Sequence, residues 1–102
     1  MKLKYPKRIS ILNTTFKIIY SKEKRGGWFD FGDREIGIGT SYNNASEIFN
    51  IISHEILEIC MVKLGVRYDD PSVFENYKFV LDHKEFETVN KLYSSIITKF
   101  IK

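Results

Sequence analysis

"NASEIFNIISHEILEICMVKLG", Asn44 to Gly65, is where the chain declares a helix and places polar residues inside it. Asn44 followed by Glu47 has the form of a capping box, and Gly65 stands where a glycine ends a helix after Lys63. The spacing therefore predicts a helix over Ala45 to Leu64, about five turns long. Ile48, Ile52, Ile56 and Ile59 form one apolar stripe, while Ile51, Leu57 and Met61 lie nearer the face that carries His54 and Glu58. A helix apolar on most of its circumference is a central, buried one. His54, Glu55 and Glu58 are the residues on it that need a reason.

Upstream of this helix the pattern has a different period. "KRISILNTTFKIIYSK", Lys7 to Lys22, alternates apolar and polar residues, so Arg8 to Leu12 and Phe16 to Ser21 read as a strand pair around Asn13-Thr14. Gly26-Gly27 breaks the alternation. "WFDF", Gly32-Asp33 and "REIGIGT" then read as a second hairpin, with Ile36 and Ile38 on one face and Gly37 and Gly39 on the other. Glycines there allow another backbone to approach closely, or mark a weak strand end.

Downstream, "RYDDPSVFENY" is turn-rich around Asp70-Pro71 and "YKFVL" reads as a short strand. Asp82 with Glu85 repeats the capping-box signature and opens a second helix, from His83 to about Ile101. Phe86, Val89, Tyr93, Ile96, Ile97 and Phe100 mark its core face, and His83 is expected to point inward, within about 60° of that stripe. The expected architecture is a single α+β domain spanning residues 1 to 102, with a small, mainly antiparallel N-terminal sheet and two long helices.

Composition agrees with one folded domain: 102 residues, 43% hydrophobic and 15% aromatic. No apolar run approaches the roughly 20 residues of a membrane span, and the basic start MKLKYPKR is not followed by the apolar region of a signal peptide, so a cytoplasmic location is expected. The single cysteine, Cys60, cannot form an internal disulfide and excludes a cysteine-based zinc site. Any metal must be held by nitrogen and oxygen. The net charge of +3 is uneven, because Lys2, Lys4, Lys7, Arg8, Lys17, Lys22, Lys24 and Arg25 meet only Glu23. No nucleic-acid-binding motif accompanies these cations, and they read as residues that solubilise and blunt the strands; nucleic acid is not an expected partner.

His54 and Glu58 lie about 40° apart on one helix face and one turn along the axis, in reach of a common ion, with Glu55 about 60° round from Glu58. A zinc hydrolase needs three protein ligands, an open position for water, and a carboxylate to take the water's proton. The other histidine, His83, sits in a predicted first helical turn, where the positive helix end favours its neutral, metal-binding form. With it the ligand set becomes two histidines and one glutamate, the composition of a thermolysin-type site with histidine and glutamate exchanged. Other readings of the same residues are a helix that buries His54 with a hydrogen-bond partner while Glu55 and Glu58 reach solvent, and a closed structural site of His54, Glu58, His83 and Glu87. Asp30, Asp33, Asp69 and Asp70 read as turn residues and Glu85 as a cap. Tyr42, Tyr68, Tyr77 and Tyr93 are candidates to stabilise an oxyanion, or are amphipathic residues at the core rim.

The succession of a strand hairpin, "REIGI", an "SxxxHExxE" helix and "YKFVLDHKEF" resembles the compact zincin-type, gluzincin-like metallopeptidase-like proteins of phages and mobile elements, from about Ile9 to Phe100. The resemblance implies a divalent metal, zinc, at His54, Glu58 and His83, with Glu55 as general base. It also implies that Glu35 to Thr40 is the edge strand along which an extended peptide substrate lies. Glu58 departs from the family pattern, which has histidine there. The expected function is metal-dependent hydrolysis of an amide bond in a peptide or protein. The alternative is a non-enzymatic interaction or inhibitor protein of a mobile element on the same scaffold, with a structural metal or none and with the basic strands as its contact surface.

Overall fold

The computed structural model describes residues 1–69 and 77–102. In chain order the elements are β1 (Arg8–Ile11), β2 (Thr14–Ser21), β3 (Gly27–Asp30), β4 (Glu35–Gly39), α1 (Ala45–Lys63), β5 (Arg67–Asp69), β6 (Tyr77–Phe79) and α2 (His83–Ile97), followed by a 3-10 turn over Thr98–Phe100. The fold is α+β, as the change of hydrophobic period at Asn44 requires. The turn expected around Asp70-Pro71 lies outside the described residues, and Asp69, expected in that turn, ends β5.

Both predicted hairpins form, but the sheet is mixed. Its strand order is β1-β2-β4-β3, with antiparallel pairs at the two sides and a parallel β2–β4 pair between them. Because β3 folds back on the far side of β4, β4 is an interior strand and β3 is the outer one. The expectation that Glu35 to Thr40 forms the edge strand is therefore corrected: that place belongs to Gly27–Asp30. The β1–β2 turn also sits one residue earlier than expected, at Leu12-Asn13, with Leu12 at φ 54°.

One face of the sheet carries Ile9, Ile11, Phe16, Ile18, Ile36 and Ile38, all buried against Ile48, Ile52, Ile56 and Ile59 of α1. These β-branched residues alternate along the strands, so one register buries the whole set and a one-residue slip would expose it. The opposite face receives the two glycines of β4. A Cβ at Gly37 would lie 2.0 Å from the Trp28 indole, and one at Gly39 would lie 2.6 Å from the Lys24 backbone. The close backbone approach expected at these glycines thus occurs at Gly39, while Gly37 accommodates a ring.

α1 begins at Ala45 as predicted and ends at Lys63, one residue before the expected Leu64, and only the Asn44 half of the expected capping box forms. Asn44 accepts from the Glu47 N–H at 3.0 Å, while the Glu47 carboxylate reaches back to the Asn43 N–H at 3.2 Å. At the other end, Gly65 has φ 72°, its N–H bonds to the Val62 carbonyl at 3.1 Å, and the Val66 N–H bonds to the Met61 carbonyl at 3.0 Å. This crossed pair satisfies the last carbonyls and stops the helix. The capping box of α2 is complete, with Asp82 and Glu85 each bonding the other's N–H.

α2 differs from expectation at both ends. It closes at Ile97 and tightens into the 3-10 turn that delivers Phe100 to the core. Its first turns carry no core face: every residue from Asp82 to Thr88 is exposed, Phe86 by 56%, and burial begins at Val89. No helix among the described residues is long and apolar enough to cross a membrane.

Candidate metal centre

His54, Glu55 and Glu58 come together on α1. Each offers one ligand atom, and these atoms lie within 4.8 Å of one another. The helix alone produces the grouping, since residues three and four apart share a face. His54 Nε2 stands 3.2 Å from a Glu58 carboxylate oxygen, with the His54 side chain 70% exposed and that of Glu58 16% exposed. His54 is thus at the mouth of the group rather than buried, contrary to the reading that placed it in the core with Glu55 and Glu58 in solvent.

Glu55 is the inward member. At 6% exposure it is the only buried polar or charged residue among the described residues. Burying a carboxylate costs several kcal/mol, on the order of what a whole small core contributes, unless partners compensate. It lies beneath the start of the outer strand: a Cβ on Gly27 would come within 2.8 Å of the Glu55 Cγ and 3.0 Å of the Ile51 Cγ2. Gly27 therefore admits the Glu55 side chain between helix and sheet.

The segment before Gly27 is pinned from a second direction. The Gly26 N–H donates to the Tyr42 hydroxyl at 2.7 Å, and the Gly39 N–H donates to the Gly26 carbonyl at 2.8 Å. The Arg25 guanidinium lies 4.6 Å over the Tyr42 ring. Tyr42 thus acts as a brace for the strand that covers Glu55, with its hydroxyl already engaged. Tyr93 is engaged elsewhere, its hydroxyl bonding the Ser53 hydroxyl across the α1–α2 interface. Gly27 lies over Glu55, with Gly26 and Tyr42 bracing the strand start, and the doubled glycine before a strand was the trace of the first two in the sequence.

His83 is not brought to this group, and the expectation that it points inward is corrected. Its side chain is 86% exposed and its Nε2 pairs with Glu87 at 3.0 Å. Two geometric facts account for this. With Phe86 outside the core, the buried stripe runs through Val89 and Ile96, and His83 lies about 120° round the helix from Val89. In addition, α2 runs antiparallel to α1: Tyr93 meets Ser53, and Lys84 and Thr88 share a small cleft with Leu64 and Val66. His83 therefore lies beside the C-terminal end of α1, about 15 Å along the axis from the level of Ser53. The second H-x-x-x-E pair, His83 with Glu87, forms separately, so the four-ligand closed arrangement is not assembled.

Cys60 is fully buried on α1, and burial pushes its thiol up to about 11, so it is a neutral packing residue at ordinary pH. The chain matches no family model, no curated protein and no solved structure.

Proposed function

We propose that the protein holds a divalent cation, zinc, at His54 and Glu58, and that it is a metal-dependent, peptidase-like hydrolase in which Glu55 accepts the proton. The supporting observation is the grouping of His54, Glu55 and Glu58, with ligand atoms within 4.8 Å, at a place where a carboxylate is buried beneath the outer strand. The bound ion would supply Lewis acidity and a water of lowered pKa. His54 presents an imidazole nitrogen at the solvent side, and Glu58 supplies a carboxylate one turn on. Glu55 is buried, with its Cγ in the space that a side chain on Gly27 would take. The likeness to compact zincins rests on these α1 residues and on a strand hairpin that packs over their helix.

With His83 outside the group, the local donors are one imidazole and two carboxylates. With Glu55 kept as the base, His54 and Glu58 are the two ligands this group supplies, one fewer than the three of a zinc hydrolase, and water would complete the coordination. Slow turnover is the corresponding expectation.

Metal content of protein purified without added metal tests the reading. One zinc per chain is expected in the wild type, lost in His54→Ala and Glu58→Ala and retained in His83→Ala. Loss in all three variants would restore His83 to the ligand set, and a metal-free wild type at neutral pH would end the metal reading. Glu55→Gln separates catalysis from structure: a hydrolase keeps its metal and loses turnover, whereas a structural site changes in neither.

A second reading, a non-enzymatic interaction protein, draws support from the exposed Lys22, Lys24 and Arg25 in the β2–β3 connection. Reversing these three charges abolishes function under that reading and leaves metal content unchanged. Full function in the triple variant would exclude it.

A further inference from the structure

A cleft of about 690 Å³ opens at the C-terminal ends of β2 and β4, the parallel pair, and beside the first turn of α1. Three tyrosines line it: Tyr5, Tyr20 and Tyr42. Tyr5 and Tyr20 pack edge to face with centroids 5.2 Å apart. The hydroxyls of the two inner rings are spent on the fold, Tyr20 donating to the Pro6 carbonyl at 2.7 Å and Tyr42 accepting from Gly26. Tyr20 therefore offers the cleft apolar aromatic surface, with Ile48 also in the lining, while the Tyr42 ring already carries the Arg25 guanidinium over it. Polar groups occupy the remaining wall, where Lys22 is the only charged lining residue among the described residues and Asn43 contributes an amide.

The sequence around the lining residues is mostly basic. Lys4 and Lys7 flank the Tyr5-Pro6 segment, and Lys24 and Arg25 follow Lys22, with Glu23 among them. Among the described residues Lys22 has no ion-pair partner. Glu47, the acid of the α1 first turn, is turned onto the Asn43 N–H. Of the cations that the sequence concentrates in its first quarter, Lys22 joins the aromatic lining of this cavity, while Lys24 lies over the Trp28 ring and Arg25 over that of Tyr42. The ends of parallel strands beside a helix start are a recurrent place for small ligands, and the volume lies in the range of small-molecule sites, roughly 300 to 1,000 Å³.

From this convergence we infer that the cleft binds a mononucleotide: a planar aromatic base lies against the tyrosines, and its phosphate meets Lys22 and Asn43. Aromatic rings stack on any base, and a lysine held at the rim of an aromatic pocket selects a charged phosphate over a neutral nucleoside. The site is separate from the metal group, which begins about two turns further along α1, so neither reading depends on the other.

Titration of the whole protein with 5′-AMP and 5′-UMP, followed by NMR shifts of the tyrosine rings, tests the inference. Saturable binding in the micromolar range is expected, at least tenfold tighter than adenosine or inorganic phosphate. Lys22→Glu should weaken 5′-AMP at least tenfold while leaving adenosine unchanged, and Tyr5→Ala, at an exposed position, should weaken both. His54→Ala should leave nucleotide affinity unchanged, which keeps the outcome distinct from that of the metal test. Four results would overturn the inference: no saturation by either nucleotide up to millimolar concentration, phosphate or adenosine binding as tightly as 5′-AMP, affinity indifferent to both cleft variants, or a salt-sensitive ten-nucleotide single strand binding tighter than the mononucleotide.

Discussion

Glu55 and Gly27 occupy the same space between α1 and the outer strand, since a single added carbon on Gly27 would stand 2.8 Å from the Glu55 Cγ. The buried carboxylate and the absent side chain are one feature. The helix positions Glu55, and the glycine at residue 27 leaves room for it beneath the sheet.

Gly27→Ala should therefore destabilise the fold by about 1 to 3 kcal/mol, because the Gly37 carbonyl and Ile51 also crowd the new carbon at 3.0 Å. It should also weaken zinc binding relative to the wild type, in contrast to the more distant Gly65→Ala. Denaturant midpoints and metal stoichiometry read the two effects separately. Unchanged values of both would detach Gly27 from the site.

Trp28 lies across Gly37, with the Lys24 ammonium 5.1 Å from the ring centroid. A methyl group at residue 37 takes the place of the ring, so Gly37→Ala should expel it. The expected signature is a red-shifted tryptophan emission together with a loss of about 1 to 3 kcal/mol. Emission identical to the wild type would place the indole elsewhere.

Leu12 adopts φ 54° at an exposed turn, a conformation that costs a non-glycine residue about 1 to 2 kcal/mol. Leu12→Asn, which tolerates this region and removes an exposed apolar side chain, should raise stability by about 1 kcal/mol. A lower or unchanged denaturation midpoint would contradict it.

The thiol of Cys60 is raised by burial to about 11 in the folded chain, above its unfolded value near 9. The folded state thus retains its proton where the unfolded state has lost it. Stability is complete below about pH 9 and falls progressively as pH rises toward about 11. Tyr20, raised still further by burial and by Tyr5, extends the decline to higher pH. Cys60→Ala should flatten the first part of this profile in pH-dependent denaturation, after correction for its own cavity cost. A slope unaltered by the substitution would assign the alkaline loss to other groups.

The Ser53–Tyr93 contact ties the two helices through a pair of hydroxyls. Tyr93→Phe should cost about 1 kcal/mol, the usual net contribution of such a bond. Metal content should be unaffected, because neither hydroxyl belongs to the ligand group. Zinc loss in this variant would show that helix packing controls the site.

Local rules were enough for the elements and for the core of the site. Caps at Asn44 and Asp82, the glycine at 65, and the alternation of isoleucines are short-range signals, and each determined a helix end or a strand face by itself. The pairing of His54 with Glu58 followed from the four-residue helical repeat. Other features depended on chain-distant partners. β4 lies inside the sheet because β3 returned on its far side, which no local pattern encodes. Phe86 looks like a core residue by periodicity, yet it is exposed because the first turns of α2 run beyond the buried stripe, and His83 is carried outward with them. Likewise only the tertiary structure placed a glycine of the outer strand over the Glu55 side chain, since whether a polar residue on an apolar helix is buried depends on what the rest of the chain lays across it.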